Sequence, residues 1–300
     1  MKLAMIGLGK MGLNMADRLT RGGHTIIGHD INNDVLLRAR IHGISTFDTL
    51  EAVVAELAIP RIVWVMVRSH ATGSTLYAIS NYLTPGDILI DGGNTNYKES
   101  IRHAKFLGKK GLRFLDVGTS GGIWGLENGY SLMVGGHVET VAYVKPVFEA
   151  LAPAPNEGWG HMGPSGSGHF VKMIHNGIEY GMMQALAEGF EILHQKQEFN
   201  LDLSQIVDVW RDGSVVRSWL LDLTARAFEH EGQDLKGIVG KVRNNGEARW
   251  MVAEAIEMEI PAPVISLALM MRFSSAVWWT CCHTPSVKIY FLDGNRPFWT

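Results

Sequence analysis

The amino-acid sequence predicts an α/β protein, with a doubly wound, mostly parallel sheet followed by an all-helical second domain. Three observations carry that reading. Six short apolar runs between residues 1 and 136 alternate with segments of helical spacing, the pattern of parallel strands joined by helical crossovers. A turn with glycines at 7, 9 and 12 follows the first run. Beyond about residue 160 the strand signals stop, and apolar residues recur at helical spacing in 168–195, 203–230 and 247–272.

Taken in order, "KLAMIGLG" is a short buried strand ending in the glycine turn. "NMADRLTRGG" has helical spacing and a glycine stop. "HTIIGHD" is a second strand, and "NDVLLRARIHG" a second helix from near Asn33 to Gly43. Further strands are expected at 61–67, 87–93, 113–118 and 131–136, with "VETVAYVKPVFEAL" a helix after the last. "NEGWGHMGPSGSGHF" is a glycine-rich junction. The expected domains are 1–163, binding a dinucleotide, and 164–300, binding substrate and a second subunit, with an atypical tail from about 276.

The 300 residues are 46% hydrophobic, enough for one large or two ordinary domains. A net charge of −3 offers no nucleic-acid footprint and no polybasic membrane patch. The two cysteines, Cys281 and Cys282, are adjacent, so no disulfide framework is expected and the compartment reads as reducing. No apolar run reaches membrane-span length. Glycines break the apolar N-terminus within seven residues, so no signal peptide is expected. The expected setting is the cytoplasm, and no metal site is expected.

Gly7, Gly9 and Gly12 have the G-x-G-x-x-G spacing of a Rossmann dinucleotide site. The first allows the tight turn, the second lets backbone approach a pyrophosphate, and the third allows close helix–strand packing. An ordinary glycine turn is the bland alternative. Asp30 lies 23 positions after Gly7 at the end of the second strand, where a carboxylate accepts from the adenine ribose hydroxyls. It would repel the extra phosphate of NADP, so NAD is the expected cofactor. A capping aspartate is the alternative. Arg38 and Arg40 lie too far from the strand end to be the expected phosphate partners. The full cofactor set is Gly7, Leu8, Gly9, Met11, Gly12, Asp30, Val67 and Asn94. Val67 ends the third strand and Asn94 follows the fourth, where ligands of open α/β sheets lie. Ser120, Gly121 and Gly122 form a loop that suits a carboxylate or phosphate.

Lys172, His175, Asn176 and Glu179 are spaced three, four and seven apart from the lysine, which puts them on one helix face. A solvated Lys/Glu face is the plain reading. It does not explain two poor helix formers, His175 and Asn176, between the charges. A lysine acts as a base only when neutral, and both burial and a nearby positive ring favour that form. The segment follows the domain junction, and pockets favour domain interfaces.

"DGGNTNY", "VGTSGGIWG" and "GSGHFVKMIHNGIEYGMMQ" together resemble 6-phosphogluconate dehydrogenase, in its shorter form. The likeness runs from residue 1 to about 275, and the "KMIHNGIEY" run is its most specific part. It implies oxidative decarboxylation of 6-phosphogluconate to ribulose 5-phosphate and carbon dioxide in the pentose phosphate pathway. It implies that Lys172 takes the proton of the third-carbon hydroxyl and Glu179 protonates the product's first carbon. It makes Asn94, Ser120, Gly121, Gly122, His175, Asn176, Tyr180 and Arg272 substrate contacts, Arg272 at the phosphate, and makes the protein a homodimer. A β-hydroxyacid dehydrogenase acting on a small unphosphorylated acid, or a weakly catalytic cofactor-binding homologue, is the alternative.

The chain departs from the family in places. "HDINN" stands where NADP-using members carry Asn-Arg-Thr, which agrees with NAD. "MVRSH" is unusual after the third strand. Asn245 stands in place of a phosphate-contacting lysine. The tail has no helical period, "LDGN" reads as a turn, and Trp278, Trp279 and Trp299 lack an obvious core. His283 and Arg296 occur in the wrong order to serve as the family's tail residues. A replaced tail is expected to weaken catalysis, and a family-type tail grafted on should restore turnover.

Overall fold

The computed structural model describes residues 1–235 and 246–275, and the backbone of 292–293 and 296–297. Asn245, Cys281, Cys282, His283, Trp278, Trp279 and Trp299 lie outside the described residues. So do Gly294 and Asn295 of "LDGN", although Asp293 before them pairs antiparallel with Arg296. Two compact units divide after Met173.

The first unit is built on β1 (Lys2–Ile6), β2 (Thr25–His29), β3 (Ser45–Thr46), β4 (Ile62–Val65), β5 (Ile88–Asp91), β6 (Arg113–Ser120), β7 (Ser131–Gly136) and β8 (Trp159–Gly163). They form one sheet in the order β3-β2-β1-β4-β5-β6-β7-β8. All neighbours are parallel except β6 and β7. The sheet is therefore mostly parallel and doubly wound, and its order reverses beside β1. Its helices are α1 (Lys10–Arg21), α2 (Asn33–Ile41), α3 (Leu50–Ala55), α4 (Ser69–Ile79), α5 (Tyr97–Gly108), the short α6 (Gly125–Asn128) and α7 (Val138–Leu151).

The strands read as unbroken apolar runs because both faces are covered. On β1, Leu3 and Met5 enter one core with Met15, Leu19 and Phe148, while Ala4 and Ile6 enter the other with Val54, Leu76 and Leu107. The Asn32 side chain accepts from Asp34 N and so starts α2.

One expectation is corrected here. Residues 156–170 are not a plain junction, because β8 lies within them and pairs parallel to β7. Gly160 and Gly163 hide it from pattern reading, since they supply no apolar alternation. β3, two residues long, carries no signal either.

The second unit is helical over its described core. α8 (Ser167–Gln195) begins in the first unit and continues into the second. The stretch 203–230 folds as two helices, α9 (Leu203–Arg211) and α10 (Trp219–Glu231), with Ser218 capping the latter through Leu221 N at 3.2 Å. The stretch 247–272 also divides, into α11 (Glu247–Glu257) and α12 (Pro263–Ser275). Pro261 cannot continue a helix, whereas Pro263 is tolerated at a first helical position. Phe190, Val207, Leu221 and Phe228 form the core of α8, α9 and α10.

Candidate active site

The glycine turn opens α1 directly after β1. Gly7 has φ +93°, in the region where side chains are strained, and a Cβ there would lie 2.4 Å from the Met66 carbonyl. A Cβ on Gly12 would lie 2.0 Å from the Gly7 carbonyl, so any side chain would force helix and loop apart. Gly9 has open space around its Cβ position, and it caps α1 without a side-chain hydrogen bond. The first turn thus presents backbone N–H groups and no acidic side chain. These features fit a pyrophosphate.

Asp30 stands just past β2. Its Oδ2 accepts from Leu8 N at 2.8 Å and its Oδ1 from Asn32 N at 2.9 Å. The carboxylate is fixed beside the glycine loop, where a ribose would sit. Arg40 is engaged elsewhere, with Thr46 Oγ1 at 2.6 Å and Asp48 at 3.5 Å, and Arg38 donates to the Asp34 carbonyl. Val67 joins the same cradle: a Cβ on Gly7 would meet its Cγ1 at 2.9 Å, and one on Gly93 would meet its carbonyl at 2.9 Å. Met11 is half-buried against the core beneath α1. Asn94 follows Gly93 and is half-buried, in the loop between β5 and α5.

β6 ends in the serine–glycine loop. Gly121 and Gly122 both have positive φ, +129° and +52°, and Gly122 opens a 3-10 turn. Backbone N–H groups and the Ser120 hydroxyl so line one loop.

Lys172 is only 6% exposed. A Cβ on Gly118 of β6 would lie 2.3 Å from the Lys172 Cβ, so the lysine stem is seated directly on the strand. Further along α8, Asn176 is 2% exposed, while His175 and Glu179 are half-buried. His175 Nδ1 lies 3.0 Å from Asn176 Oδ1 and 3.9 Å from Glu179 Oε2. Within the second unit, buried Arg272 stacks on the Tyr180 ring with its guanidinium carbon 3.5 Å from the centroid. It also donates to Met183 Sδ at 3.4 Å. Burial pushes the Arg272 pKa down, and Tyr180 and Glu179 oppose that shift.

The structure brings together Gly7, Leu8, Gly12, Asp30, Val67 and Gly93 as one cradle. It seats Lys172 on β6, groups His175, Asn176 and Glu179, and pairs Tyr180 with Arg272. Asp116, Gly118, Ser100 and His169 escape sequence reading, although an aspartate inside an apolar strand is a signal that could have found Asp116.

The fold, the glycine turn and the fixed acid define a Rossmann dinucleotide-binding protein with a helical second domain. The chain belongs to the 6-phosphogluconate dehydrogenase family. Residues 2–163 match the NAD binding domain of 6-phosphogluconate dehydrogenase, and residues 168–280 match the C-terminal domain of that enzyme. The chain is 41% identical over 276 residues to the NAD(+)-dependent, decarboxylating 6-phosphogluconate dehydrogenase of Haloferax volcanii, covering 92% of this chain and 91% of that one. The structure of Plasmodium falciparum 6-phosphogluconate dehydrogenase superimposes with a TM-score of 0.83 at 27% identity, over 99% of this chain and 67% of that one. Mycobacterium tuberculosis 3-hydroxyisobutyrate dehydrogenase, 21% identical, shares the fold with a TM-score of 0.74 over 95% of each chain.

Proposed function

We propose that the protein catalyses the NAD-dependent oxidative decarboxylation of 6-phosphogluconate to ribulose 5-phosphate and carbon dioxide. The observation that carries the reading is the burial of Lys172 against Gly118, in a chain of this family. Residues 1–163 hold the dinucleotide and lend Asn94, Ser120, Gly121 and Gly122 to the substrate, whose other contacts come from 164–300. When bound, NAD supplies the acceptor for the hydride that leaves the third carbon.

Lys172, uncharged before the reaction, takes the proton of the third-carbon hydroxyl as that hydride departs. Its ammonium then donates to the new ketone oxygen and stabilises the electrons released when the carboxylate leaves as carbon dioxide. Glu179 delivers a proton to the carbon that becomes the first carbon of the product. Asn94, Ser120, Gly121, Gly122, His175, Asn176 and Tyr180 hold the sugar acid. Arg272 holds its phosphate with a planar fork that Tyr180 keeps in one orientation. Asp30 favours NAD over NADP. The protein works in the pentose phosphate pathway, in the cytoplasm, as a homodimer. Among the described residues no helix is long and apolar enough to cross a membrane.

A steady-state assay with 6-phosphogluconate beside 3-hydroxyisobutyrate, each with NAD and NADP, tests the reading. Turnover of the phosphorylated sugar acid with NAD is expected; turnover of 3-hydroxyisobutyrate alone would overturn it. Lys172→Met is expected to lower turnover by about 10³-fold while NAD binding changes little. If NAD binding is lost as well, Lys172 is structural.

A further inference from the structure

Asp116 is fully buried on β6, where a lone carboxylate would be costly. Its two oxygens accept from backbone N–H groups at the start of α8: Oδ1 from Gly166 at 2.6 Å and Oδ2 from His169 at 2.9 Å. It caps a helix 53 residues away in sequence, and its charge sits at the positive end of the helix dipole. The surroundings are built for it. A Cβ on Gly135 would lie 2.6 Å from Asp116 Oδ1, and one on Gly168 would lie 2.4 Å from the Asp116 carbonyl. Residues 116 and 118 lie on the same face of β6. The strand therefore grips the first turn of α8 through Asp116 and receives Lys172, one turn on, through Gly118. A second tether holds the same turn: Ser100 of α5 is fully buried, and its Oγ lies 2.7 Å from His169 Nδ1.

We propose that Asp116 is the positioning residue for Lys172. By capping α8 it fixes the helix's register on β6, and so the point in space to which the lysine amine extends. Without the cap, α8 can shift along the strand. A displacement of about 1 Å at a reacting group can cost on the order of 10²-fold in rate. The inference rests on the proposed role of Lys172, but its test need not.

The experiment compares wild type, Asp116→Asn and Ser100→Ala by two readouts. The first is competitive acetylation of the protein without ligands, read by mass spectrometry at Lys172 relative to exposed Lys2 and Lys145. The second is kinetics with 6-phosphogluconate carrying deuterium on its third carbon. Asp116→Asn keeps the shape but sets an amide where an N–H donor points. It is expected to raise Lys172 labelling at least tenfold over the reference lysines. It should also lower kcat by about 10- to 100-fold, with KM for NAD within twofold, a larger isotope effect and a displaced pH profile. Ser100→Ala should do the same to a smaller degree, and it decides the matter if Asp116→Asn does not fold. Unchanged Lys172 labelling, or labelling raised equally at every lysine, overturns the proposal. So does a loss of kcat that only tracks the folded fraction, with isotope effect and pH profile as in wild type. A wild type inactive toward 6-phosphogluconate would sink the functional reading, while the labelling still tests the cap.

Discussion

Asp30 and Lys172 show how differently two single residues act through their surroundings. Asp30 is held by two backbone donors at 2.8 and 2.9 Å, so it is already oriented before any ribose arrives. The arginines that could have served a 2′-phosphate are bonded to other groups. Asp30→Ala should therefore lower kcat/KM for NAD by about tenfold or more, the worth of a hydrogen bond to a charged group, and lower that for NADP less. An unchanged ratio of the two would take Asp30 out of cofactor choice. Lys172 is selected by burial instead: a lysine so enclosed is kept for chemistry or for a specific partner, since free lysines stay in water.

At the scale of elements, α8 and β6 are one device. Glycines at 118, 135 and 168 let strand and helix approach so closely that side chains at those positions would collide with Lys172, Asp116 and backbone. Gly118→Ala should destabilise the protein by about 1–3 kcal/mol through overpacking, visible as a lower urea midpoint. Activity should fall further than stability does, because the new methyl presses on the lysine stem itself. If kcat stays at the wild-type value in the folded variant, the close approach matters for packing alone. The α11–α12 break makes a related point: it follows from proline chemistry, and no tertiary contact is needed to explain it.

For the molecule as a whole, acid stability has two separate origins. Burial holds the His103 imidazolium pKa below the ordinary value, although Asp91 and Glu99 act in the other direction. Burial, then the N-terminal ammonium, does the same at His24. Both rings bind a proton more readily in the unfolded chain. Stability should thus fall as pH drops through the unfolded histidine value of about 6.5. Asp87 is lowered in spite of burial, because Thr84 and Arg61 donate to it from backbone and guanidinium. Its contribution is complete above about pH 4 and declines on further acidification. Urea midpoints from pH 8 to 3 should show both limbs. His103→Gln should flatten the first limb, and Arg61→Ala the second. A profile of His103→Gln parallel to wild type between pH 7 and 5 would remove His103 from the account.

The sequence by itself determined the fold class, the family, the glycine cradle with its acid, and the shared face of Lys172, His175, Asn176 and Glu179. These follow from local spacing, because period and turn chemistry are written in neighbouring residues. Only the tertiary structure decided that β8 is a strand, since its glycines give no pattern and β7 alone specifies its pairing. Only the tertiary structure decided that Lys172 is buried on Gly118 and that Asp116 caps α8. Burial and long-range hydrogen bonds are made between segments far apart in the chain. No window of sequence contains both partners, so the fold must form before either property exists.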